Sequence, residues 1–371
     1  MRTPTLDALA GATARIDGRE IVLFGGCNYL GLARHPRVLA AAEGAIERFG
    51  LSVSASRETT GNTALHRDLE AAVAGFCRLE AGLLVPDGYI ANLAAVQSLA
   101  AMGVTDAVID ARGHASLRDA AQAAGLRISL YRHLDAQDAA SVIAVCEGPA
   151  VVMTDSVFAA DGAIAPLKEL AALLRDSDRL LADDCHGFCV LGPGGEGAAR
   201  HADLDDTRLI VTTTLAKGLG CGGGVVMGEA DFVREVRSTS TAYMCTTPVS
   251  PVLASAGLAA LAVLRDDPDL IATMRRNAGR VSAILAASGL DAGESAVPIF
   301  AFAFGDDGDM ERLHRAAWDS GVWMPLVRYP GGPMPTYFRL AVSASHSEGQ
   351  IKRLQSVLEA AFRANQPGAT R

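Results

Sequence analysis

From about residue 80 onward, short apolar runs alternate with stretches whose apolar positions recur at helical spacing. "GLLV" precedes "GYIANLAAVQSLAAM", "AVID" precedes "HASLRDAAQAAG" and "AVVMTDSV" precedes "PLKELAALLRD"; "RLLADD" and "LIVTTT" follow in turn. Runs too short for a helix, separated by helix-length segments, predict βα units and hence a mostly parallel sheet covered on both faces. Such sheets bind ligands beyond the carboxyl ends of their strands, so the residues that close each run are the first candidates for chemistry.

Two long helical patterns follow, "SPVLASAGLAALAVLRDD" and "LIATMRRNAGRVSAILAASG". The texture then changes: "VPIFAFAFG", "ERLHRAAWDSG", "VWMPLVRY" and "YFRLAVSAS" lead to a final helix and make a compact α/β unit of their own. That helix opens on a capping box, Ser347 with Gln350, and carries Ile351, Leu354 and Leu358 on one face. The expected organisation is an amino-terminal segment (1–40), a large domain (41–255) and a small carboxy-terminal domain (256–371), with a connecting helix across the last boundary. No repeat, low-complexity tract or Pro/Gly/Ser linker interrupts it, and only "NQPGATR" reads as a frayed end.

Composition agrees with a packed protein: of 371 residues, 50% are hydrophobic and 20% charged, with aromatics scarce. The net charge of -9 and the scattering of basic residues argue against a nucleic-acid footprint. No apolar stretch reaches the roughly 18 residues of a membrane span, and acids stand where a signal peptide would have its apolar core, so a cytoplasmic location is expected. Seven cysteines without a regular framework read as free thiols in a reducing compartment. Cys185 and Cys189 stand near Asp183, Asp184 and His186, but no second Cys or His pair has zinc-site spacing, so no metal is expected.

Lys217, in "LIVTTTLAKGLGCGGGVVMG", has no carboxylate in its segment, and a lysine buried among small and apolar residues is costly unless neutralised or made covalent. One strand earlier, "LLADDCHG" ends an apolar run with Asp183 and places His186 three residues later. An acid at one strand end and a lysine after the next suit a cofactor with a basic ring nitrogen and an aldehyde. On the residues alone, Asp183 capping a turn and His186 satisfying a carbonyl explain the pair equally well. The glycines of "GLGCGGG" lead into the strand-like "VVMG", whereas a dinucleotide fingerprint opens a helix.

"DDCHG" followed by "TTLAKGLG" resembles the pyridoxal-phosphate (PLP) signature of the α-oxoamine synthases, which join an amino acid to an acyl thioester. "NYLGLARHP" from Asn28, "SASRETTGNTALHRDLE" from Ser54, "PDGYIANLA", "DARGHASLRDA", "DSVFAADGAIAPL" and "YFRLAVSASHSEGQI" resemble further family segments in the family's order, along nearly the whole chain. The resemblance implies PLP-dependent transferase fold type I, with Lys217 as the internal Schiff base, Asp183 on the ring nitrogen, His186 on the phenolic oxygen and His114 stacked on the ring. Gly88 and Tyr89, at a helix start, and Thr214 would hold the phosphate. Thr246 and Thr247 would reach the neighbouring subunit's cofactor, which implies a homodimer.

Asn28 and Arg339 would bind the amino-acid substrate. Arg339 lies in the apolar run "YFRLAV", where a guanidinium needs an anion; a substrate carboxylate and an internal acid are the two options. The sequence departs from the family pattern at Asp87, Gly113, Ala159 and Ala216, and Asp87 should point away from a phosphate or be engaged elsewhere. Length favours the branch making 8-amino-7-oxononanoate from alanine and a pimeloyl thioester of coenzyme A or acyl carrier protein. A serine palmitoyltransferase-like or other aminoketone synthase, a fold type I aminotransferase and a catalytically silent subunit are the alternatives.

Overall fold

The computed structural model describes residues 4–290, 296–328 and 332–364. The chain divides into two compact units, one from His35–Phe158 and Ala163–Pro268, the other from the described parts of Met1–Arg34, Ala159–Gly162 and Asp269–Arg371.

The first unit is built on seven strands in the spatial order Ala81–Val85, Gly224–Gly228, Leu209–Thr214, Arg179–Asp183, Ala150–Asp155, Asp106–Asp110, Arg127–Tyr131. Gly224–Gly228 runs antiparallel to both neighbours and the remaining pairs are parallel, so the sheet is mostly parallel as the alternation predicts. Asp106–Asp110, Ala150–Asp155, Leu209–Thr214 and Gly224–Gly228 are buried at every position. Covering on both faces is what selects unbroken apolar runs over alternation. Arg127–Tyr131 escapes that logic: it is an edge strand exposed from Arg127 to Leu130, and its sequence carries no apolar run to announce it.

Helix Gly88–Ala101 packs on Leu209–Thr214 and Gly224–Gly228, presenting buried Ala91, Ala94, Ala95, Val96 and Leu99. The small side chains let the helix approach the sheet closely. Helix Pro36–Phe49 lies along Pro251–Asp266, and Ala64–Cys77 packs on Pro251–Asp266 and on strand Ala81–Val85.

In the second unit, strands Ala8–Ala10, Thr13–Ile16 and Arg19–Leu23 form an antiparallel meander whose last strand pairs in parallel with Val322–Trp323. Ile299–Phe302, Tyr337–Ala341 and Leu326–Val327 form a separate antiparallel sheet. Helices Asp269–Ala287, Asp307–Asp319 and Glu348–Ala364 belong to the same unit. Phe24, Phe300, Phe302, Phe338, Leu354 and Leu358 fill its core, each fully buried leucine or phenylalanine contributing roughly 1.5–3 kcal/mol. The capping box of the last helix is present, with Gln350 N–H donating to Ser347 Oγ (3.3 Å) and Ser347 N–H to Gln350 Oε1 (2.9 Å).

The unit boundaries differ from a division into 1–40, 41–255 and 256–371. The amino-terminal meander joins the carboxy-terminal unit because its strand Arg19–Leu23 finds a ladder partner there. Helix Pro251–Asp266 stays wholly with the large unit because Pro36–Phe49 and Ala64–Cys77 cover it. Ala159–Gly162 belongs with the second unit, and a Cβ on Gly162 would meet Val297 Cγ2 and Ile299 O at 2.9 Å. Among the described residues no helix is long and apolar enough to cross a membrane.

Candidate active site

Three parallel strands end side by side in the first unit, with Asp155 opposite Asp183 and Asp183 opposite Thr212. Asp183 is buried. Its Oδ1 accepts the Cys185 N–H (3.0 Å), which caps the turn, while Oδ2 accepts from Asn92 Nδ2 (2.7 Å). The turn-capping and chemical readings of Asp183 are thus compatible, since one oxygen serves each.

Lys217 follows the end of strand Leu209–Thr214, and its Nζ lies 2.7 Å from His186 Nε2. Among the described residues no carboxylate forms an ion pair with Lys217; its neighbour is an imidazole. The backbone N–H of His114 donates to Asp155 Oδ2 (2.7 Å). Burial first, and the charge of Asp183 second, hold the Asp155 carboxyl well above its ordinary range, against the pull of the His114 amide and Lys217. Asp155, Asp183, His186, His114 and Lys217 therefore form one electrostatically linked group.

Gly88 opens its helix beside Thr214: a Cβ there would stand 3.1 Å from Thr214 Cβ and 2.9 Å from Cys185 Sγ. The first-turn amides of Gly88 and Tyr89 have no acceptor within the helix. Asp87 is engaged as that helix's N-cap, Oδ1 accepting from Ile90 N–H (2.9 Å). Thr214 Oγ1 donates to Gly223 O (3.1 Å) and accepts from Ala216 N–H (3.2 Å). The Tyr89 hydroxyl donates to Asp119. At Gly113 a Cβ would stand 3.1 Å from Asp110 O, so a larger residue would crowd the turn before His114.

Asp184, the second acid of "DDCHG", is buried and braces the loop rather than joining the lysine: it accepts from Ser156 Oγ and from Ala198 N–H (3.1 Å). Burial pushes its carboxyl up to about 7. Burial likewise raises the Cys185 and Cys189 thiols well above their ordinary range, which makes them packing groups. Among the described residues no set of three or more His, Cys, Asp or Glu gathers as metal ligands.

In the second unit, Arg339 projects from strand Tyr337–Ala341, and its Nε donates to the carbonyl of Ala159. Tyr29 and Cys27 interact electrostatically with the guanidinium. Among the described residues no Asp or Glu forms an ion pair with it. Burial keeps the Tyr29 phenol well above its usual range, leaving it a neutral neighbour of the cation. Ala159 contributes only a backbone carbonyl, so its departure from the family serine leaves the contact intact. Asn28 lies next to Tyr29, its carbonyl accepting from Ser343 Oγ (2.9 Å), on the wall of a cavity of about 190 Å³ that Cys27 and Ser343 also line. His346 is structural, bonded to Ser343 N–H (2.9 Å) and Leu23 O (3.0 Å).

Thr246 and Thr247 are not drawn into the Lys217 group. Thr246 Oγ1 donates to the Ala242 carbonyl (2.7 Å), and Thr247 is exposed. Sequence reasoning missed Asn92, Ser116, Thr212 and Asp155, all of which bond into the group. The one available signal was a buried-pattern asparagine in the otherwise apolar "GYIANLAAV".

A family model described as aminotransferase class I and II matches residues 19–358. An 8-amino-7-oxononanoate synthase of Thioalkalivibrio sulfidiphilus is 34% identical over 362 residues, covering 96% of this chain and 92% of that protein. A serine palmitoyltransferase of Sphingomonas wittichii superposes with a TM-score of 0.90 at 28% identity, over 98% of this chain and 93% of its own. One from S. paucimobilis, solved with bound PLP-myriocin aldimine, gives 0.90 at 26% identity, over 98% and 92%. The chain belongs to the aminotransferase class I and II family and, within that fold type I group of PLP-dependent enzymes, to the α-oxoamine synthases, whose members are acyltransferases.

Proposed function

We propose that this chain condenses an amino acid with an acyl thioester, releasing carbon dioxide and free thiol and giving an α-amino ketone, with alanine and a pimeloyl donor as the pair. The observation that carries the reading is the Lys217–His186 contact beside Asp183, at the ends of adjacent strands. The site suits PLP on chemical grounds. Asp155 and Asp183 face each other in burial with Lys217 the nearby cation, and a protonated ring nitrogen on Asp183 would relieve that repulsion. The side-chain-free Gly88 leaves helix amides open to an anion.

Lys217 Nζ would be the attachment point for PLP, Asp183 would pair with its ring nitrogen, His186 and His114 would contact the ring, and Gly88, Tyr89 and Thr214 would bind the phosphate. When bound, PLP supplies an electron sink that stabilises negative charge at the amino acid's α-carbon. Arg339 orients the substrate by a bidentate grip on its carboxylate, and Asn28 is the second substrate-binding residue. Lys217 Nζ, next to the His186 imidazole, takes the α-proton. Thr246 and Thr247, outside their own chain's Lys217 group, serve the partner's cofactor in a cytoplasmic homodimer.

The serine palmitoyltransferase structures favour a second reading, serine with a longer acyl chain. Purified protein should show a visible PLP band that Lys217→Ala abolishes, and should release thiol from pimeloyl-coenzyme A with alanine. Turnover only with serine and palmitoyl-coenzyme A selects the second reading. An unaltered PLP band in Lys217→Ala overturns both.

A further inference from the structure

A continuous hydrogen-bonded chain joins two residues of the site that no strand or helix connects. Asn92, fully buried on helix Gly88–Ala101, donates through Nδ2 to Asp183 Oδ2 (2.7 Å) and to Ser116 Oγ (2.8 Å). Its Oδ1 accepts from Thr212 Oγ1 (2.6 Å). Ser116 Oγ in turn lies 2.7 Å from His114 Nδ1.

The donor and acceptor inventory fixes the Asn92 amide, and a backbone N–H then fixes the imidazole. Flipping the Asn92 amide would set its oxygen against the Asp183 carboxylate, two acceptors with no proton between them. Both Nδ2 protons are therefore committed, one to Asp183 and one to Ser116. Ser116 Oγ accepts that bond and keeps one proton and a second lone pair, so by itself it could serve His114 Nδ1 as donor or as acceptor. The Ser116 backbone N–H faces the same nitrogen (3.3 Å), where His114 caps helix Ala115–Ala123. A backbone N–H can only donate, so Nδ1 is the acceptor and the Ser116 hydroxyl donates to it as well.

We propose that Asn92 is a positioning residue: its side-chain amide orients the Asp183 carboxylate and, through Ser116, fixes His114 as the tautomer with its proton on Nε2. One amide thereby sets both the acid that would face a ring nitrogen and the imidazole that would contact the ring, and His114 offers the site an N–H donor. The consequence for cofactor binding rests on the functional reading above; the tautomer does not.

Nitrogen-15 NMR of histidine side chains in the full-length chain, stripped of cofactor, tests this, with the His114 signals assigned by their loss in His114→Ala. An acceptor-type Nδ1 and a protonated Nε2 are expected. Ser116→Ala, which removes only a hydroxyl, and Asn92→Leu should each move both signals towards the tautomer average. Asn92→Leu should also weaken PLP uptake roughly ten- to hundredfold, the size of one hydrogen bond to a charged group. A protonated Nδ1 in the parent chain, or His114 signals unmoved in Ser116→Ala, overturns the proposal, even if Asn92→Leu fails to fold. A parent chain that takes up no PLP overturns the functional reading instead, and the nitrogen signals still decide the network.

Discussion

Asp184 ties the stability of the active-site loop to pH. Its carboxyl ionises near 3.8 in the unfolded chain and at about 7 in the folded protein, because burial outweighs the bonds from Ser156 and Ala198. The folded state therefore binds this proton more tightly. Stability from this group is complete below the unfolded value, declines as pH rises, and is gone above about 7. A difference of about 3 pH units at about 1.4 kcal/mol each gives about 4 kcal/mol across the window. Asp184→Asn cannot ionise, so the variant lacks the slope whatever constant offset follows from its altered bond to Ala198. Urea unfolding of both proteins should show the variant gaining on the parent by about 2 kcal/mol between about pH 5 and about pH 7, levelling off above about pH 8. A free-energy difference that stays constant through this window would refute the burial argument.

Three further outcomes follow from the geometry. Arg339→Lys keeps the charge but loses the planar fork, so KM for the amino acid should rise at least about tenfold, with the thioester KM little changed. Gly88→Ala drives a methyl against Cys185 and Thr214, and steady-state titration should find weaker PLP binding together with a melting point several degrees lower, about 1–3 kcal/mol of overpacking. Arg57→Met strands buried Glu70, whose carboxylate also accepts from Leu84 N–H (2.8 Å), and denaturant unfolding should register a loss of about 3–5 kcal/mol.

Most of the large unit was legible because burial on both faces leaves a direct trace: "AVVM" and "LIV" have nowhere to lie but inside a sheet. Edge strand Arg127–Tyr131 left none, being exposed, and the amino-terminal meander left little, since its strands are only three to five residues long and its last one, Arg19–Leu23, finds its outer partner Val322–Trp323 some 300 residues away. Lys217, Asp183 and His186 stood out for the same reason they matter, as polar groups set at the ends of apolar runs.

The order of strands and helices, the capping of the last helix and the residue types offered at the strand ends were determined by local sequence, because periodicity and end-capping are short-range effects. What each charged group meets was decided only by the tertiary structure. Asn92 reaches Asp183 across 91 positions and Arg339 reaches Ala159 across 180. Whether Asp184 joins the lysine or braces a loop, and whether Arg339 faces an internal acid, depends on desolvation and on neighbours brought in from distant segments. No local pattern encodes these, since the free energy of a buried charge belongs to its surroundings.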